Sequence, residues 1–310
     1  MEEINIIRRL FDGVIPERSS EIEAIIIKYG PQFRMIKDRE GFNLKAGAYS
    51  VIQYTQRSAR QIWIFGYAGL QALYCYSSYI RLLKSSNESL DIDRVDKIFD
   101  QALEDEKFKI FLEFTKNLNS VFHEDDFTWP SGIPEPEKGR PEDPEHALVY
   151  DLTCMATAFT LLHELKHVIF SVEKESPGTP IDEEYRCDAF AKEMMISKIH
   201  LYAELSGYAE DKVRTKRMMG IALASAFILF ATGKEHVFGS NSHPPVHGRW
   251  LELVEDMSLP DDDWMWLYFS SLFLALLKYY SIKISPKIVK SYKSLFLDLI
   301  EDLDNGIPRS

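Results

Sequence analysis

Cysteine is scarce in this sequence: three residues in 310, Cys75, Cys154 and Cys187, odd in number and far apart. That excludes the disulfide framework of a small secreted domain and fits thiols kept in a reducing compartment. Positive charge is short as well. Lys and Arg number 36 against 48 Asp and Glu, a formal net charge of -12, so neither direct nucleic-acid binding nor attraction to an anionic membrane is expected. Membrane insertion is not expected either, because no uninterrupted apolar run reaches the roughly 20 residues that cross a bilayer. Residues 221–231 fall short, and polar residues break the stretches 62–80 and 264–277, which read as buried helices. The opening MEEINIIRRLFDG lacks the basic stretch and long apolar run of a secretory signal, and the expected location is the cytoplasm. An internal repeat and a sustained strand alternation are also missing.

What remains is an ordinary globular composition, 45% hydrophobic and 27% charged, with enough length to bury a substantial core. The pattern is mainly helical, with room for a small sheet beside the site. Helices are expected near 3–10, 21–28, 58–83 and 92–118, with an irregular or extended stretch over 33–50 between them; Gly66 and Gly69 weaken the third helix. Residues 123–150 then change character, with Pro130, Pro134, Pro136, Pro141 and Pro144 barring a regular helix. Three regions follow: an N-terminal helical region (1–122), a proline-rich connector or active-site cover (123–150), and a catalytic region with C-terminal helices (151–310). In the last, Asp151 is the expected cap of a helix running through MATAFTLLHELKHVIF. A loop at 176–180 and a cap at Asp182 precede a helix from about 183 toward 205. Further helices are expected over 211–232, 247–257, 262–280 and 286–304, with a turn at 239–245.

The sharpest local signal is His163-Glu164-Leu165-Lys166-His167. Residues four apart return to one helix face, so both imidazoles can converge on one ion. Neutral imidazole suits zinc, and a catalytic site adds a third protein ligand and leaves a position open. Glu164, beside the pair, can take a proton from the attacking water. The third ligand is sought in Glu184-Tyr185-Arg186-Cys187-Asp188 on the next helix. Glu184 is one candidate, and Asp188, a turn further on, can hold a ligand imidazole through its other nitrogen. Asp188, Cys187 and Glu183 stand as alternative ligands.

HELKH, followed by EYRCDAF and then SHPPVHGR, resembles the soluble relatives of the HtpX/Ste24 group of gluzincin peptidases and the bacterial Lit peptidase family, over roughly residues 161–249. The resemblance implies a gluzincin-like helical metallopeptidase in which His163, His167 and Glu184 bind Zn2+, Glu164 is the catalytic base and Asp188 supports a ligand. His243 and Arg249 match an HPxxxxR pattern that contributes to substrate or transition-state contacts; His247 is a competing donor. The chain departs from the HtpX/Ste24 group in lacking clear membrane spans, and Cys187 stands where alanine is common. The Lit-like resemblance implies cleavage of an intracellular protein, the translation elongation factor that delivers aminoacyl-tRNA, in phage exclusion, with a phage-derived activator. Two other functions are open: a metal-stabilised regulatory or binding protein without turnover, and a zinc hydrolase acting on a non-protein substrate. Glu164 favours an enzyme, since a structural zinc site needs no free base.

Overall fold

A computed structural model describes residues 2–37, 41–98, 100–121, 123–175, 177–233, 237–255 and 258–306. Two helices, α1 (Glu2–Val14) and α2 (Ser19–Tyr29), lead into a small sheet of β1 (Gln32–Met35), β2 (Leu44–Ala46) and β3 (Val51–Tyr54). β3 is central, parallel to β1 and antiparallel to β2, with Leu44 opposite Tyr54 and Ala46 opposite Ile52. After α3 (Gln56–Ser86) come β4 (Ser89–Leu90), α4 (Ile92–Ile98) and α5 (Gln101–Asn117). Beyond the proline-rich stretch follow α6 (Pro144–Glu173), α7 (Pro180–Ile196), α8 (Ile199–Ser206), α9 (Glu210–Thr232), α10 (Val246–Glu255) and α11 (Trp264–Tyr279). β5 (Lys287–Ile288), which pairs antiparallel with β4, and α12 (Tyr292–Gly306) close the described chain. The fold is mainly α.

Helix α3 is continuous through Gly66 and Gly69, against the expectation of weakness there. Both glycines serve contact: a Cβ on Gly66 would stand 2.4 Å from Thr153 Cγ2 of α6, and one on Gly69 would stand 2.4 Å from the Tyr268 hydroxyl of α11. The helix cost of glycine is offset by bringing three helices close together. The single helix expected over 92–118 is instead α4 and α5, with Asp100 (ψ 48) turning the chain between them and Phe99 outside the described residues.

The long motif-bearing helix starts earlier than expected. Asp143, not Asp151, caps α6, accepting the N–H groups of Glu145 and His146 at 3.0 Å, and Pro144 takes the first helical position, where its missing N–H costs nothing. Asp151 lies within the helix and pairs with Arg140 and Lys216. Likewise Thr179 caps α7, and Asp182 is its reciprocal partner in a capping box. Of the loop expected at 176–180, Ser176 lies outside the described residues, as do residues 256 and 257 of the helix expected over 247–257. The stretch expected to run toward 205 breaks at Ser197–Lys198 into α7 and α8.

Helix α6 lies among α3, α7 and α9. Its Phe159, Leu161 and Leu162 share one core with Met194 and Met195 of α7 and with Ile221, Leu223 and Phe230 of α9. Helix α9 is long and apolar enough to cross a membrane, but 72% of its most apolar window is buried inside the protein. The proline-rich stretch packs locally: Ile133 joins Trp63 and Val149 in a second cluster, and Pro134 O accepts from Trp63 Nε1 at 2.8 Å.

Candidate active site

One face of α6 presents His163 and His167 one turn apart, and their Nε2 atoms stand 3.2 Å from each other. Across from them, the first turns of α7 are fixed by the Thr179–Asp182 capping box with Pro180 at the first helical position. That anchor brings Glu184 in from the side, with Oε2 3.4 Å from His163 Nε2 and Oε1 3.4 Å from His167 Nε2. Three donor atoms about 2.0–2.1 Å from one tetrahedral zinc ion stand about 3.3 Å apart, and the two imidazoles and the carboxylate lie at that spacing, one Glu184 oxygen facing each ring.

The remaining ring nitrogens are committed elsewhere. His163 Nδ1 lies 2.8 Å from Asp188 Oδ1, and His167 Nδ1 lies 2.7 Å from Glu183 Oε1. Asp188 is buried and receives Arg249 in a fork, Nε to Oδ2 and Nη2 to Oδ1, both 2.7 Å; Arg249 Nη1 also comes within 3.7 Å of Glu184. Arg249 reaches Asp188 because Gly248 lets α10 approach α7: a Cβ there would meet the Tyr185 hydroxyl at 2.6 Å.

These contacts set the charges. Burial acts to lower the His163 pKa, but Asp188 and Glu184 override it and raise it to about 9. His167 reaches about 9 in the same way through Glu184 and Glu183. For Glu184, burial is outweighed by the two imidazoles and Arg249, which hold the carboxyl far below its usual range. Asp188 is likewise lowered, against burial, by Arg249 and His163. These contacts favour the protonated imidazoles at neutral pH, and a cation bound at the two Nε2 atoms would have to displace their protons.

A second donor set overlaps the first. His163, His167 and Cys187 offer ligand atoms all within 4.8 Å of one another. Glu184 offers an ionised carboxylate 3.4 Å from each Nε2, whereas burial pushes the Cys187 thiol up to about 12.

Glu164 stands between this cluster and the small sheet. Burial raises its pKa, and its Oε2 accepts the backbone N–H of Ala46 in β2. β2 is an edge strand. Since Asn43 and Gly47 bond to Thr55 and Val51 in line with β3, the alternation of an antiparallel pair turns the backbone groups of Leu44 and Ala46 outward. The outward edge of β2 thus borders the carboxylate, which takes its Ala46 N–H.

The structure brings His163, His167, Glu184, Asp188 and Arg249 into one cluster with Glu164 at its edge. It does not join His243 to them: that residue is exposed, with its hydrogen bonds to Ser240 and Ser242. His247 lies 3.0 Å from Asp304 of α12. Sequence reasoning weighed Glu183 only as a ligand and missed it as the partner of His167, a contact signalled by its place next to Glu184. The Ala46 contact, 118 residues from Glu164, had no local signal. No curated protein and no solved structure matches the chain. The model of one family, Peptidase U49, matches residues 52–269.

Proposed function

The chain belongs to the Peptidase U49 family, and from that membership we propose that it is a zinc-dependent endopeptidase with His163, His167 and Glu184 as metal ligands and Glu164 as base. The carrying observation is the triangle of two Nε2 atoms and one carboxylate at 3.2–3.4 Å, each imidazole backed by a carboxylate on its other nitrogen. The gluzincin ligand set is part of this proposal. Zinc, when bound there, supplies Lewis-acid polarisation of the scissile carbonyl and lowers the pKa of water.

The chain's own groups do the rest. An extended polypeptide adds to the outward edge of β2 through the main-chain groups other than the Ala46 N–H, which Glu164 holds, and this brings a peptide bond past Glu164. Glu164 takes the proton of the attacking water and hands it to the departing amine, a task helped by its raised pKa. Arg249 acts at one remove, by holding Asp188 against His163. His243 steadies negative charge on the substrate oxygen in this proposal, which requires the turn at 239–245 to close over bound substrate. The narrower substrate, an intracellular translation elongation factor cut in phage exclusion with a phage-derived activator, rests on the Lit-like motif pattern.

Glu164→Gln is the direct test. It should keep fold and zinc content and lose about 10²–10⁴-fold in turnover. Intact-protein mass spectrometry of the elongation factor, with and without the phage component, checks the substrate. Absence of zinc-dependent cleavage under both conditions rejects that substrate, and wild-type turnover by Glu164→Gln rejects the base.

A further inference from the structure

The two ligand imidazoles are tethered unequally. On the His163 side, Asp188 is 2% exposed and clamped by both prongs of the Arg249 fork, so that ring cannot turn without breaking a buried three-group network. On the His167 side, the tether is Glu183, whose side chain is 34% exposed and whose recorded side-chain partner among the described residues is His167 alone, at 2.7 Å. Glu183 touches Nδ1, the nitrogen facing away from the cluster, and so is not an alternative to Glu184, which faces both Nε2 atoms.

We propose that Glu183 is a positioning residue for His167 and that its exposed hydrogen bond sets the rate at which the metal is released. This rests on the metallopeptidase reading above. Loss of a ligand arm requires the ring to rotate away. Rotation of His167 breaks one solvent-accessible contact, whereas rotation of His163 uncovers a buried carboxylate beside a buried guanidinium, the costlier route. Release therefore runs through the His167 arm. The carboxylate on Nδ1 also raises the basicity of Nε2 and fixes its direction, and losing such a partner typically weakens metal binding about 10–100-fold.

The experiment loads zinc alone onto the full chain and follows its release to an excess of chelator for wild type, Glu183→Ala and Glu183→Gln, with affinity from competition. Glu183→Ala should release zinc about 10–100-fold faster, with the unfolding midpoint of the metal-free protein little changed because the side chain is partly exposed. Glu183→Gln, whose amide oxygen still accepts from Nδ1–H, should recover most of the loss. A wild-type chain that takes up no zinc defeats the metallopeptidase reading itself. A zinc-binding wild type with unchanged release in Glu183→Ala, or equal losses in the Ala and Gln variants, overturns the role given to Glu183.

Discussion

Arg249 stands between two carboxylates that would otherwise repel each other across a buried gap. Arg249→Ala leaves Asp188 with His163 as its remaining charged partner, and the protein should lose about 3 kcal/mol, the low end of the cost of breaking a buried pair. Urea midpoints measure this, and Arg249→Lys should not restore it, because an ammonium lacks the fork. The same cluster dictates a pH dependence. His163 and His167 bind protons more tightly folded (about 9) than unfolded (6.5), so the stability they give the metal-free protein is complete below 6.5 and lost as pH rises through 9. Glu184 is shifted down, and its share is present above 4.5 and lost as pH falls. Zinc must displace the imidazole protons, so the rise in melting temperature on adding zinc should grow from pH 6.5 to pH 9. A rise independent of pH over that range would count against protonated imidazoles in the metal-free cluster. The convergence of His163 and His167 was legible, since helical period alone puts them on one face. The direction of His243 was not, because a turn carries no period.

Helix α10 carries none of the three proposed ligands, yet its approach to α7 decides whether Arg249 arrives. Gly248→Ala should push α10 outward against the Tyr185 hydroxyl and weaken zinc binding with every ligand intact. Adding Tyr185→Phe, which removes the obstructing oxygen, should bring affinity back; a calorimetric comparison of single and double variants decides it. At this scale the sequence was a good guide to the existence of helices and a poor one to their ends. Asp151 and Asp143 are the same residue type before apolar residues; Pro144 marks Asp143 as the cap, whereas Asp151 turns to Arg140 and Lys216. The edge strand was fainter still. Three residues, Leu44–Ala46, cannot display a period, and their register is set by β3 and by contact with α6.

Over the whole molecule, the N-terminal segment is bound to α7 and α9 by charge as well as by apolar packing. Glu17 pairs with Arg217 of α9, both side chains 1% exposed, and Arg217 also donates to Met195 O at the end of α7. Glu17→Ala strands that guanidinium in the core and should cost about 3–5 kcal/mol. Chemical denaturation should register it as a shifted midpoint with an unchanged slope, since one core runs from Ile7 to Leu303. The Arg249–Asp188 fork has a further consequence, in time instead of energy. A ribosome emits His163, His167, Glu184 and Asp188 well before Arg249, 61 residues beyond Asp188. Until α10 has emerged and docked, the pair α6 and α7 holds Asp188 against His163 alone, without the guanidinium fork. The cluster is therefore completed late: its buried network closes only when the chain has been made through α10 and that helix has docked on α7.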